Sequence, residues 1–366
     1  MSEHDHLTVW LETAEAESLP RIGGKGQSLA RLLQAGLRVP AGFAITTRLY
    51  EQSLLTGGGE VEFAVLFKTL LDHGSAAPEP VRLAAAALQQ RAKTTAISAS
   101  GLQSIALHYR ELSARRRQVD PPVAVRSSAA CEDKSSASFA GQFETCLWVR
   151  GEAQLVDAVR SCWASLFSPR ALAYRLAATR KDPHLGYAMG IVVQEMVDAG
   201  AAGVAFTLNP KSGDRSKVVI EGNWGLGSSV VSGEVTPDHF MVDKVTLGIE
   251  ARRVAHKALQ DVVDEAANTV LRIAAPAAQA AAPCLGDDEL LELTRVATRI
   301  ERLYGCPQDV EWALDRAAAL PHSLYILQSR PETRWSQRPT VPPATTPTMG
   351  YLGAMVASLS GRKVKG

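Results

Sequence analysis

The apolar residues of this chain change their period near Met189, and that change sets which architectures are open to it. Before it, Leu29, Leu32, Leu33 and Leu37 recur at helical spacing, with Gly36 as a stop signal. Ala/Leu-rich segments between about Glu60 and Arg117 carry the same period. "EAQLVDAVRSCWASLF" and "SPRALAYRLAA" read as further helices, the second with Ser168 as N-cap and Pro169 at the first helical position. Short strands are expected at 43–47 and 123–125. After Met189 come "MGIVVQEMV", "AAGVAFTL", "KVVIEGNW" and "HFMVDK", β-branched and aromatic runs broken by Gly, Pro, Asn and Asp, which read as a sheet. A helix over 287–304 and two strands around "DVEWAL" and "LYILQS" follow. The expectation is an α+β protein with one lobe over 1–188 and a β-rich lobe over 189–335. A Pro/Thr-rich linker (336–348) and a short tail (349–366) complete it.

Composition removes several functions. The 366 residues carry a formal net charge of +1, so no bulk field draws the chain to nucleic acid or to an anionic membrane. The N-terminus is polar and acidic, and no stretch reaches the roughly 18 apolar residues of a membrane span. The five cysteines lack a CxxC pair and read as reduced thiols, which points to the cytoplasm.

Three segments could carry chemistry. In "RIGGKGQSLA" a glycine turn meets a helix N-terminus beside Lys25, where backbone N–H groups and an ammonium suit a phosphate. A Walker A loop is excluded, because Leu19 and Gly26 stand where glycine and Ser/Thr would be needed. A tight turn with a solvated lysine explains the segment equally well. "WGLGSSV" looks like half a dinucleotide fingerprint, but Val230 holds the third glycine position and no clear helix follows. In "VAVRSSAACEDKSSASFAGQFET", Arg126 ends a strand and about fifteen small, hydroxylated and acidic residues follow. A guanidinium there can clamp phosphate, and the loop can serve as a flap, or it can be a surface loop beside a salt bridge. Finally, Asp309 and Glu311 are two apart on one expected strand, and Gln328 and Arg330 are two apart on the next. If the strands pair, one face carries two carboxylates, a carboxamide and a guanidinium, a seat for Mg²⁺ or simply the solvated face of a hairpin.

Taken in order, five segments resemble the nucleotide-binding domain of the phosphoenolpyruvate synthase, pyruvate phosphate dikinase and rifampin phosphotransferase family. They are "GGKGQSLARLLQAGLRVPAGFAITT", "VAVRSSAACEDKSSASFAGQFET", "QEMVDAGAAGVAFTLNP", "WGLGSSVVSGEVTPD" and "DVEWALD…LYILQSRP". The resemblance, over about 19–335, implies an ATP-grasp fold with ATP held between two lobes. It implies that Lys25, Arg126 and Arg330 hold phosphates. Gln194, Glu195, Met196 and Val197 would meet adenine through backbone groups of Glu195 and Val197. Glu311 and Gln328 would hold Mg²⁺, supported by Asp309. The loop 138–145, with Gly141 and Thr145, would be the flap. Cys131, where relatives carry Ala or Thr, is a small departure.

A larger departure concerns the histidine that relatives use as phosphoryl carrier. None of the eight histidines here lies in the Gly-rich Thr/Ser-His-Ala context that it occupies. The chain therefore resembles the ATP-binding subunit of a split dikinase, with a histidine-bearing partner subunit and a small acceptor, expected to be phenol, leaving AMP and phosphate. A pyruvate, water dikinase portion and a nucleotide-sensing subunit without turnover are the alternatives. In the tail, Tyr351, Leu352, Met355, Val356 and Leu359 form an apolar stripe, expected to dock as a helix on the partner.

Overall fold

The computed structural model describes residues 7–55, 79–129, 143–168, 171–172, 188–333 and 335. Gly141 and most of the expected flap, Cys131, the expected helices over 60–78 and after Ser168, the linker and the tail lie outside them.

Two antiparallel sheets dominate. The first contains β1 (Thr8–Trp10), β2 (Gly42–Ile45), β3 (Val123–Ala129), β4 (Thr145–Val149) and β5 (Met189–Glu195), in the order β1-β2-β5-β3-β4. The second contains β6 (Ala199–Phe206), β7 (Lys217–Trp224), β8 (Asp238–Asp243), β9 (Ile249–Arg253), β12 (Gln308–Asp315) and β13 (Leu324–Pro331), in the order β13-β12-β6-β7-β8-β9. A separate hairpin pairs β10 (Leu259–Asp264) with β11 (Thr269–Ala274). The boundary expected at residue 188 is displaced. β5 lies inside the first sheet, pairing with β2 through Val193 opposite Phe43 and with β3 through Val193 opposite Val125. Its continuous apolar run suits a strand flanked by two others and covered on both faces.

The principal helices are α1 (Gly23–Gln34), α2 (Glu79–Thr94), α3 (Ala99–Arg116), α4 (Gly151–Ser165), the short α5 (Ser228–Val231) and α6 (Asp287–Tyr304). Gly36 ends α1 in the left-handed region at φ +70°. The N–H groups of Gly36 and Leu37 return to the carbonyls of Leu33 and Leu32 at 2.9 and 3.0 Å, the paired bonds that close a helix C-terminus. α6 buries Leu290, Leu293, Ala297 and Ile300 along one stripe and places Asp287, Asp288 and Glu289 in its first turn, where acidic groups suit the helix dipole.

The cores fall on the two faces of the first sheet. On one face Phe43, Val125 and Val193 pack against Ile105 of α3 and Val159 and Trp163 of α4. On the other, Ala44 and Val192 meet Leu29 and Leu32 of α1, and the same cluster continues through Trp312 and Ile326 of the second sheet to α6. Each such Leu or Ile removes enough apolar surface to contribute about 1.5–3 kcal/mol. α1 thus lies in a core common to both sheets, with its N-terminal turn at the space between them. Gly23 permits this: its φ is +72°, and a Cβ there would lie 1.9 Å from the Ser128 carbonyl oxygen on β3. Among the described residues, no helix is long and apolar enough to cross a membrane.

Candidate functional site

A cavity of about 600 Å³ opens between the sheets, the size range of small-molecule sites. Lys25, Arg126, Thr145, Glu195, Met196, Val197, Glu311, Gln328 and Arg330 all line it. An adjoining recess of about 120 Å³ adds Asp309 and Glu221. The alternation of strand residues explains the convergence. Glu311 is the register partner of Gln328, and Asp309 that of Arg330, so the hairpin β12–β13 presents all four on one face.

One irregularity refines this face. The pairing shifts between Glu311 and Trp312, so that Gln328 lies opposite Glu311 but Ile326 lies opposite Trp312. Leu327 is the extra residue of this bulge. Leu327 and Gln328 are therefore consecutive residues that both line the cavity. The Leu327 carbonyl accepts from Arg126 Nη1 at 2.9 Å.

Arg126 joins the lobes. It projects from β3, is 12% exposed, and its Nη2 donates to Glu311 Oε2 and to Gln328 Oε1, each at 2.7 Å. Its Nε has no hydrogen-bond partner among the described residues. Burial pushes the Glu311 carboxyl up, but Arg126, then Arg330 and Lys25, outweigh it and hold it below the usual glutamate value. Asp309 behaves oppositely. Burial is the main cause, Glu332 and Glu311 add to it, and Arg330, whose Nε lies 3.3 Å from Oδ2, opposes it; the carboxyl is raised to about 6. Lys25, in the first turn of α1, is buried and donates to the Ser127 carbonyl at 2.8 Å.

The segment 194–197 forms another wall. The Glu195 N–H donates to the Ala41 carbonyl at 2.9 Å and the Met196 N–H to the Pro122 carbonyl at 3.0 Å, so both donors serve the sheet. Val197 N–H has no backbone partner among the described residues. The Glu195 carboxylate pairs with Arg116; burial raises it and Arg116 opposes the rise. Gln194 does not line the cavity. It is buried beside Arg126, with Oε1 3.5 Å from Nη1 and Nε2 without a partner among the described residues.

Sequence reasoning rejected "WGLGSSV" as a dinucleotide fingerprint and, while counting it among the segments that carry the resemblance, assigned it no contact; Leu226, Gly227, Ser228 and Val231 line the cavity. Asp261 of β10 fastens this wall. Its carbonyl accepts from Leu226 N–H at 2.8 Å, and its carboxylate binds Ser228 Oγ at 2.5 Å and Arg272 Nε at 2.8 Å. The signal was the glycine pair itself: Gly225 has φ +74°, and a Cβ there would lie 2.2 Å from the Asp261 carbonyl oxygen.

The donor set suits a magnesium ion that also takes phosphate oxygens. A carboxylate and a carboxamide oxygen already converge on one cationic nitrogen, and Mg²⁺ is commonly held by one or two carboxylates plus substrate phosphates. Among the described residues no group of three or more His, Cys, Asp and Glu could hold a metal without such help.

Residues 19–349 match the family described as pyruvate phosphate dikinase, AMP/ATP-binding domain. The chain is 35% identical over 357 residues to a phosphoenolpyruvate synthase of Aeropyrum pernix, covering 91% of this chain and 43% of that protein. It is 37% identical over 352 residues to a probable phosphoenolpyruvate synthase of Staphylothermus marinus, covering 90% and 42%. It is 39% identical over 316 residues to the prodigiosin synthesizing transferase PigC of Serratia marcescens, covering 86% and 32%. The chain spans less than half the length of these relatives. It belongs to the pyruvate phosphate dikinase AMP/ATP-binding domain family.

Proposed function

From this family membership and the cavity's geometry, we propose that the chain is the nucleotide-binding part of a dikinase-type phosphotransferase with an ATP-grasp fold. The observation that carries the proposal is the convergence of Lys25, Arg126, Glu311, Gln328 and Arg330 on one cavity between two sheets. That is a set of cations and hard oxygens suited to a triphosphate and its counter-ion.

In this reading adenine lies against Met196 and Val197, with the Glu195 carbonyl and the Val197 N–H as its polar contacts. Lys25, Arg126 and Arg330 bind the phosphates and neutralise charge as it develops. Glu311 and Gln328 would hold Mg²⁺, with Asp309 orienting Arg330. Bound there, Mg²⁺ supplies charge neutralisation on the phosphoryl oxygens. A histidine nitrogen on a separate domain or partner chain attacks the β-phosphorus, and the bond from the α-phosphoryl oxygen breaks to release AMP. The histidine then carries the β- and γ-phosphoryl groups. Water takes the γ-group as phosphate, and the β-group passes to a small acceptor. Loop 138–145 is assigned the role of excluding bulk water.

The acceptor has two readings. The names of the relatives favour pyruvate, giving phosphoenolpyruvate. The alternative is phenol, as in a phenylphosphate synthase, for which the cavity supplies no distinguishing contact.

The test is isotope exchange between AMP and ATP. The purified chain alone should bind Mg·ATP and exchange almost nothing, and adding a histidine-bearing domain of the family should switch exchange on. Rapid ATP hydrolysis by the chain alone, or a stable phosphohistidine on it, would sink the proposal. The nucleotide-sensing alternative requires binding with no exchange under any addition.

A further inference from the structure

Two assignments in the proposed site compete for the same space. Arg126 is assigned to phosphate, and Glu311 and Gln328 to the metal, yet these three are bonded to one another. Glu311 Oε2 and Gln328 Oε1 both accept from a single nitrogen, Arg126 Nη2, at 2.7 Å. A magnesium ion takes its oxygens at about 2.0–2.1 Å. An ion shared by these two oxygens would lie within about 5 Å of Nη2 and take the same acceptor oxygens, and the two positive charges would repel. The two pairings oppose one another.

The other cations of the cavity do not compete in this way. Lys25 is anchored on the Ser127 carbonyl and Arg330 on Asp309. Among the described residues, Arg126 alone is bonded to both proposed metal ligands. It is also 12% exposed and Glu311 21% exposed, so solvent compensates poorly if either partner is left alone. Withdrawing the guanidinium requires a replacement anion for Arg126 and a replacement cation for Glu311. A polyphosphate chelating a divalent cation brings both.

We infer that Arg126 is a placeholder for the metal: its Nη2 occupies the cation position until a polyphosphate draws it away, so divalent cation and nucleotide enter only as a pair. This inference rests on the assignment of Glu311 and Gln328 to the metal in the proposed function. Its consequence is that free divalent cation cannot preload the site, and that nucleotide without cation leaves Glu311 without a partner if it takes Arg126. By reciprocity, each ligand strengthens the other by the same factor.

The experiment is a titration with Mn²⁺, read from the resonance signal of the free ion, on wild type and Arg126→Met, with and without α,β-methylene ATP. Wild type should bind Mn²⁺ at this site only when the analogue is present. Arg126→Met should bind Mn²⁺ without nucleotide at least roughly tenfold more tightly than wild type, the scale for freeing a ligand from a charge-assisted hydrogen bond. Arg126→Lys, which keeps a cation, should behave as wild type. Equal binding of Mn²⁺ alone by wild type and Arg126→Met, whether tight or absent, overturns the inference while leaving the nucleotide site in place. If no Mn²⁺ binds to wild type even with the analogue, the metal assignment itself falls and takes the inference with it. Should Arg126→Met fail to fold, the arginine side-chain nitrogen spectrum of wild type decides. The Arg126 signal, assigned with Arg126→Lys, must ignore Mg²⁺ alone and move with Mg²⁺ plus analogue; movement with Mg²⁺ alone overturns the placeholder.

Discussion

Replacing Asp309 by Asn should make the protein more stable and less active, with a pH dependence that identifies the cause. The side chain is 17% exposed, and its carboxyl is raised from the ordinary 3.8 to about 6. A carboxyl raised by folding contributes stability that is fully present below its unfolded value and is lost as pH rises through the folded value. Each pH unit between the two values is worth about 1.4 kcal/mol, so the ionised form costs about 3 kcal/mol at pH 8 and about 1 kcal/mol at pH 4.5. Asparagine keeps an acceptor for Arg330 and carries no charge to desolvate. Asp309→Asn should therefore gain about 3 kcal/mol at pH 8 and about 1 kcal/mol at pH 4.5. For 366 residues the usual unfolding entropy converts 1 kcal/mol to about 1.3 °C, so Tm should rise by about 4 °C at pH 8 and by about 1 °C at pH 4.5. Phosphoryl transfer should fall at least tenfold as Arg330 loses its charged partner, a trade between site chemistry and stability. Calorimetric melts at the two pH values, with exchange assays beside them, test this. A variant less stable than wild type at pH 8, or shifted equally at both pH values, would refute burial as the origin of the raised carboxyl.

Glu311→Gln should reduce phosphoryl transfer by about 100-fold, the scale for a preorganised electrostatic group, and should also cost about 1.5–3 kcal/mol because Arg126 loses its counter-charge. Exchange assays and denaturant titrations read the two effects separately, and a loss of stability without loss of transfer would mark a purely structural pair. Lys257→Met should destabilise by about 3–5 kcal/mol, because Lys257 and Asp238 form a fully buried ion pair 2.7 Å apart and the aspartate would be left behind. A Tm within a degree of wild type would contradict this. Gly203→Ala should prevent accumulation of folded protein, since the new Cβ would lie 1.9 Å from the Glu221 carbonyl oxygen across the sheet. A soluble variant with a native circular dichroism spectrum would show that β6 and β7 can separate there.

What could be read from the sequence followed from local spacing. Asp309, Glu311, Gln328 and Arg330 were two apart on adjacent runs, and the pleat did the rest. The helix over 23–34 was visible from its apolar spacing and the stop at Gly36, and a helix over 287–304 was expected as well. What was missed depends on long-range pairing. Nothing local in Met189–Glu195 indicates that it pairs with residues 42–45 and 123–129 rather than with the strands after it. The hairpin over 259–274 was not anticipated, although Val262, Val263, Val270 and Leu271 flank a polar turn there. The wall at 226–231 was judged against a dinucleotide motif, when Gly225 at its start serves close approach to the Asp261 carbonyl. The bulge at Leu327 leaves no compositional trace, because it is a mismatch in count between two strands.

That mismatch makes this hairpin unequally tolerant of insertion and deletion. Residues 316–323 connect β12 to β13 and, beyond the cis peptide at Pro321, touch the cavity at no point, so the connection can vary in length. Leu327 cannot be dropped in the same way. Without it Gln328 would follow Ile326 directly and still face the cavity opposite Glu311, but the cavity would lose a wall residue and the bulged carbonyl that accepts from Arg126 Nη1 at 2.9 Å. In a set of diverged sequences, gaps should therefore accumulate between Asp315 and Leu324, whereas the spacing from Leu324 to Arg330 should stay fixed even where the residues themselves have changed.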